Sequence, residues 1–283
     1  MLRGKVEAAD TAHVMGGHGH LFDSQAATYD QRAGLPGQAS HEVARAILEL
    51  AAVQAGDVVV EIGAGTGQIG QWLAHESVRY VGFDLSPGML HLFRRRLARW
   101  GAACTLLVAD GKHGWPLKEA SVRVIFSSRA LHLLPLSHVM AESLRVVWPE
   151  RAMLIVGRVQ RSSLSLETQM KQQLHYLLRQ HGLQAHEGEQ HQQHLLAGWC
   201  QYGAQAITPR VAARWRVVST PGKALAAWRN KPGLGGLDPP ARLKEAILLE
   251  LAVWAEATFG DLERQRESEA TYILQGARFG PVM

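Results

Sequence analysis

The chain has 283 residues, 47% of them apolar and 19% charged, with a formal net charge of +5 that leaves 14 histidines uncounted. Such a chain holds one large domain or a domain with an insertion, and its balance of residues is that of a globular protein rather than a disordered or fibrous one. Two cysteines, Cys104 and Cys200, make neither a disulfide framework nor a metal-ligand spacing. No run reaches 18 apolar residues, because Glu250 and Glu256 interrupt the nearest one, 247–257. The N-terminus lacks a signal-peptide pattern, so a cytoplasmic protein with reduced thiols and no membrane span is expected.

Residues 1–20 read as a flexible polar end, in which His13, His18 and His20 have no acid or cysteine beside them to complete a metal site. Ser40 is placed to cap a helix over His41–Gln54, with Val43, Ile47, Leu48 and Ala51 on one face and Gly56 as its stop. The strongest signal follows. Val58-Val59-Val60-Glu61-Ile62 reads as a buried strand, Gly63-Ala64-Gly65-Thr66-Gly67 as a tight turn, and Gln68-Ile69-Gly70-Gln71-Trp72-Leu73 as a helix start. Glycines let the backbone approach a ligand, and a helix N-terminus offers unpaired N–H groups; together they make a nucleotide-sized site.

Tyr80–Asp84 reads as the next strand, ending in a carboxylate of the kind that binds ribose hydroxyls. Ser86-Pro87 caps a helix carrying Met89, Leu90, Leu92, Phe93 and Leu97. Its arginines, Arg94, Arg95, Arg96 and Arg99, read first as a solvated face and second as an anion or RNA patch. Leu136–Val147 is a helix, and Ala152–Val159 is a strand buried on both faces. Strand and helix alternate to this point, which argues a parallel sheet. Residues 161–206 change character: Gln and His crowd around two helices joined near 182–188. His186, His191 and His194 lie there, but no acid is fixed beside them, so no metal is expected. Val211–Val218 alternates as a strand, Pro221–Trp228 and Pro239–Phe259 are helices, and Thr271–Phe279 is a last strand.

The glycine turn alone also fits G-x-G-x-x-G through Gly65-Thr66-Gly67-Gln68-Ile69-Gly70, the dinucleotide fingerprint. Glu61 inside the strand, Asp84, Leu106-Leu107-Val108-Ala109-Asp110-Gly111 as the end of a third strand and Val124-Ile125-Phe126-Ser127-Ser128-Arg129-Ala130-Leu131-His132-Leu133-Leu134-Pro135 after a fourth together resemble the class I S-adenosylmethionine-dependent methyltransferases. Phe22-Asp23-Ser24-Gln25-Ala26-Ala27-Thr28-Tyr29-Asp30 resembles the lead-in of the ubiquinone/menaquinone-biosynthesis type, the type 11/25 group. The resemblance implies an α/β Rossmann-like, doubly wound sheet of seven strands, mostly parallel with an antiparallel last strand, plus a helical cap. It divides the chain into an N-terminal lid segment, 1–36, a core of 37–160 and 207–283, and a cap insertion, 161–206.

The resemblance further implies S-adenosyl-L-methionine as cofactor, with Tyr29 over it, Gly63 and Gly65 at its methionine end, and Glu61 acting on the turn. Asp84 falls to the ribose, Asp110 to the adenine amino group, and Leu85 and Met89 to the adenine face. Ala64, Gly67, Gly111 and Ser127 complete the cofactor set, and His132 is the candidate base. Ser127-Ser128-Arg129-Ala130 stands where amino-group methylases of bases carry N/D-P-P-Y/F. The implied acceptor is therefore a small, partly apolar or aromatic molecule, with Trp199, Trp215 and Trp228 as candidate walls. An RNA-modifying enzyme and a non-catalytic binding module of the same fold are the alternatives.

Overall fold

The computed structural model describes Asp23, Ala26, Tyr29, Asp30 and residues 34–98, 104–184, 188–231 and 233–280. His13, His18, His20, Phe22, Arg99 and His186, named above, lie outside the described residues, as does most of the lead-in segment.

The elements run α1 (Gly37–Leu50), β1 (Val58–Ile62), α2 (Gly70–Leu73), β2 (Arg79–Asp84), α3 (Pro87–Leu97), β3 (Thr105–Val108), β4 (Val124–Ser128), a 3-10 turn (Leu131–Leu133), α4 (Leu136–Val146) and β5 (Met153–Arg161). There follow α5 (Leu166–Gln180), α6 (Gly188–Gln201), β6 (Gln205–Ala206), β7 (Arg210–Ser219), α7 (Pro221–Arg229), α8 (Ala241–Phe259) and β8 (Arg266–Arg278). The sheet order is β3-β2-β1-β4-β5-β8, with β6 and β7 both on the outer side of β8. Strands β1 to β5 are mutually parallel and β8 runs antiparallel to β5.

The sheet has eight strands where seven are expected, and the difference is an interruption. β6 pairs with Ala277 and Arg278, β7 with residues 266–274 of the same strand, and Ile207-Thr208-Pro209 separates them. Proline brings no N–H to a ladder, so the edge strand breaks where Pro209 stands. A second difference concerns the first helix, which begins one turn before the expected cap. Ser40 lies inside α1, donates its hydroxyl to Gly37 O and accepts from Trp72 Nε1 at 3.1 Å.

Two apolar clusters cover the two faces of the sheet. One joins α1, α2 and α3 through Val43, Ile47, Leu73, Leu90 and Phe93; the other joins α4 and α6 through Val139, Val146, Leu195 and Trp199. A third cluster lies mainly among helices: Leu166, Met170, Leu174 and Leu178 of α5, Leu225 of α7, and Ile247, Leu248 and Leu251 of α8, with Leu234 from the loop between α7 and α8. Ser165 and Thr220 cap α5 and α7 by accepting from Thr168 N and Lys223 N. The two helices of 161–206 thus go to different cores: α5 to the helical layer, α6 to the sheet. β5 and β7 end, and β8 begins, on the edge where β1, β2 and β4 end, so α5, α7 and α8 stand on that edge. Among the described residues no helix is long and apolar enough to cross a membrane.

Trp199 anchors α6. It is fully buried, donates Nε1 to Ser143 Oγ at 2.7 Å and lies 5.2 Å from the Phe279 ring. Trp199→Ala should cost about 3–5 kcal/mol, read as a lowered urea midpoint. A near-unchanged midpoint would contradict the assignment of α6 to the sheet core.

Candidate active site

The carboxyl ends of β1, β2 and β4 meet around the glycine turn. Gly63, Gly65 and Gly67 all have positive φ, at +70°, +54° and +76°. Two of them also have no room for a side chain: a Cβ on Gly63 would fall 2.2 Å from that of Ala130, and one on Gly67 would fall 2.1 Å from the Phe93 ring. The Gly63 and Ala64 N–H groups both donate to Phe83 O, which ties the turn to β2.

Asp84 completes that tie. Its Oδ2 accepts from Gly65 N at 2.8 Å and its Oδ1 from Ser86 N at 2.9 Å. Burial pushes its pKa above the ordinary carboxylate value, against the pull of those two N–H groups. Deeper, Glu61 is 4% exposed and accepts from the Tyr80 hydroxyl at 2.5 Å. Burial pushes Glu61 up to about 8; the Tyr80 hydroxyl opposes this and the Asp84 charge adds to it. Gly70 leaves space for the pair, since a Cβ there would meet Tyr80 Oη and Glu61 Oε2.

Two acids hold Tyr29 and its surroundings to this edge. Asp30 accepts from Thr66 Oγ1 at 2.6 Å, from Gln68 Nε2 and from Arg96 Nη2. Asp23 accepts from Gly88 N at 2.9 Å and from Ser86 Oγ, at the N-terminus of α3. The Ser86 hydroxyl in turn accepts from Met89 N, the expected cap.

The result is a cavity of about 840 Å³, part of it open to solvent. Tyr29, Gly63, Gly65, Asp84, Leu85, Met89, Asp110 and Gly111 line it, all of them expected. Asp110 also accepts from Lys112 N at 2.9 Å and lies 3.4 Å from His113 Nδ1. A smaller adjoining cavity takes in Glu61 and Ala64, again with Tyr29, Gly63 and Gly65.

Three expected residues stand elsewhere. Gly67 lines neither cavity and serves the packing of Phe93. Ser127 is buried, and its hydroxyl donates to Ile62 O at 2.9 Å. Its neighbour Ser128 faces both cavities instead and accepts from the Tyr272 hydroxyl at 2.6 Å. His132 is exposed on the 3-10 turn, while Leu133 and Leu134 beside it line the larger cavity. Of the three tryptophans, Trp199 is core, Trp215 packs against the first cluster and Trp228 against the helical one; none lines either of these two cavities. Sequence reasoning missed Lys112, Ser128, Arg129 and Ala130. Alternation along β4 pairs Ser128 with Phe126 on one face and Ser127 with Ile125 on the other, but both faces are buried, so the pattern does not say which serine meets the ligand.

Residues 59–150 match the family model described as a methyltransferase domain. Over 105 residues, 36% of this chain and 49% of the relative, the chain is 33% identical to a protein-L-isoaspartate O-methyltransferase of Methylorubrum populi. A second such protein, from Methylorubrum extorquens, is 33% identical over 89 residues, 31% of this chain and 39% of that one. The chain thus spans less than half the length of these curated relatives. Among solved structures the fold resembles the cyclase SpnF, with a TM-score of 0.55 at 16% identity over 94% of this chain and 96% of that one. It also resembles the YcgJ protein of Bacillus subtilis, with a TM-score of 0.52 at 15% identity over 86% and 100%. Residues 59–150 thus carry the methyltransferase-domain match, and the fold around them is similar to that of these solved structures.

The buried acid makes stability pH-dependent. The folded pKa of Glu61, about 8, lies above the unfolded value of about 4.3, so the folded state holds a proton that the unfolded state has released. Between those values stability falls as pH rises, by up to about 1.4 kcal/mol per unit, and the loss is complete above the folded pKa. Glu61→Gln should flatten this slope relative to the parent in urea unfolding between pH 5 and 8. Equal slopes would contradict a proton held by Glu61.

Proposed function

We propose that the protein is a methyltransferase that uses S-adenosyl-L-methionine to methylate a small, partly apolar or aromatic acceptor. The observation that carries this reading is the larger cavity, where Asp84 and Asp110 face one space with the apolar Leu85 and Met89 between them and the glycine turn beside them.

The residues fit that cofactor. Hydroxyls of a ribose donate hydrogen bonds, and the Asp84 oxygens, each holding one N–H, keep lone pairs to accept them. An adenine amino group likewise donates, which suits Asp110, and its flat faces suit Leu85 and Met89. When bound, the cofactor supplies an electrophilic methyl group on sulfur. The chain's own task is then to bind, align and exclude water, and good alignment alone can lower a barrier by about 7–11 kcal/mol. Ser128, Arg129, Ala130, Leu133 and Leu134 form the wall on which an acceptor would lie, and Tyr29 closes over it. His132, facing outward, is given no proton transfer in this reading. The segment 1–36 is assigned the role of lid. The helical layer of α5, α7 and α8, standing on the same edge, is assigned the shaping of acceptor choice, in place of a cap made of 161–206 alone.

Of the α3 arginines, Arg96 is paired with Asp30 and Arg94 donates to Leu106 O, and on β7 Arg210, Arg214 and Arg216 are paired with Glu49, Glu269 and Glu267. That favours a small acceptor over RNA.

The test is transfer of a labelled methyl group from the cofactor into a metabolite extract, with Asp84→Ala alongside. Charge-assisted bonds contribute about 1.5–3 kcal/mol each, so Asp84→Ala should weaken S-adenosylhomocysteine binding by roughly 10- to 200-fold. It should also lower the melting temperature of the ligand-free protein, because the carboxylate holds the Gly65 and Ser86 turns. Unchanged affinity in that variant, or no labelled product in any extract, would contradict the reading.

A further inference from the structure

Arg129 is the least expected residue of the site. It follows the last residue of β4 and has φ +60°, in the left-handed region. Side chains other than Asn and Asp adopt that conformation rarely, so the surroundings hold it there. Ala130 on one side packs against Gly63, and Ser128 on the other is bonded to Tyr272. The Arg129 guanidinium carbon lies 5.6 Å from the centre of the Tyr29 ring. The residue lines both cavities, and among the described residues lining the smaller one it is the one Lys or Arg.

That smaller cavity is built on the glycine turn, yet the donors of the turn are committed to the fold. Gly63 N and Ala64 N donate to Phe83 O, Gly65 N to Asp84 and Gly67 N to Ala64 O. The Thr66 hydroxyl and the Gln68 amide donate to Asp30. An anion entering this space therefore meets few donors of the turn and one guanidinium. The amino-acid end of S-adenosylmethionine, which the reading above lays over the turn, carries such an anion in its α-carboxylate. A carboxylate taken out of water needs a charged or multiple donor, and a guanidinium offers a planar pair of them.

We propose that Arg129 is the residue that takes the cofactor's α-carboxylate, held in place for it by the left-handed turn after β4 and by the Tyr29 ring. The assignment rests on the cofactor reading above. It also gives Tyr29 a second task, that of a face against which the guanidinium is held.

Two ligands and two variants test it by calorimetry. S-adenosylhomocysteine carries the α-carboxylate; 5′-methylthioadenosine keeps the adenosine and the sulfur and lacks the amino-acid end. Arg129→Gly accepts the positive φ without strain and removes the cation. It should weaken S-adenosylhomocysteine by about tenfold or more, leave 5′-methylthioadenosine within about twofold, and leave the ligand-free melting temperature equal or higher. Arg129→Lys should recover part of the lost affinity. Equal losses for both ligands, or no loss for either, would overturn the assignment while leaving the functional reading in place. A parent protein that binds neither ligand would overturn the functional reading and this assignment with it.

Discussion

The carboxylate of Asp84 joins two turns, one of them 19 residues before it in sequence. One oxygen holds the N–H of Gly65 in the turn after β1, and the other holds the N–H of Ser86 at the start of α3. Without it, a glycine turn with three positive-φ residues would have many conformations open to it, since glycine loses more backbone freedom on ordering than any other residue. The same group is the natural acceptor for a ligand's hydroxyls. In the proposed reading fold and binding draw on one side chain, which burial holds above the ordinary carboxylate pKa.

Acidic side chains gather around this point. Asp23 accepts from Ser86 Oγ and the Gly88 N–H, Asp30 accepts from the glycine turn, and Glu61 lies below, accepting from the Tyr80 hydroxyl. Arg96 answers Asp30 from α3, and the Gly88 N–H at the α3 N-terminus answers Asp23. Burial and the Asp84 charge both favour a protonated Glu61. These pairings fasten Asp23 and Asp30 to the helix and the turn that form the cavity wall.

Much of this architecture is legible in the sequence because it is local. The strands β1, β2 and β3 are largely apolar runs followed or ended by a glycine or an acid, and Ser86-Pro87 marks the start of α3 within one residue. What escapes is long-range or two-sided. Asp23 and Asp30 look like ordinary lead-in acids, and nothing in their spacing names partners more than 30 residues away. The Ser127 and Ser128 choice fails because β4 is covered on both faces. His132 falls outside because the segment after Ala130 forms a 3-10 turn, which presents Leu133 and Leu134 to the cavity and His132 to solvent. The division of 161–206 between two cores is hidden for a different reason. Both helices carry apolar residues, and only the later helices α7 and α8 supply the surface against which α5 packs.

The central claim is that the edge built around Asp84 is a site for S-adenosylmethionine and not for a dinucleotide, although its glycine pattern fits both. Asp110 at the end of β3, facing the same cavity, is the feature that separates them. A calorimetric titration of the full chain with S-adenosylhomocysteine and, separately, with NAD tests this most directly. The account predicts saturable one-to-one binding of S-adenosylhomocysteine in the micromolar range, about −8 kcal/mol, and no heat of binding from NAD. Binding of NAD with no binding of S-adenosylhomocysteine would contradict it.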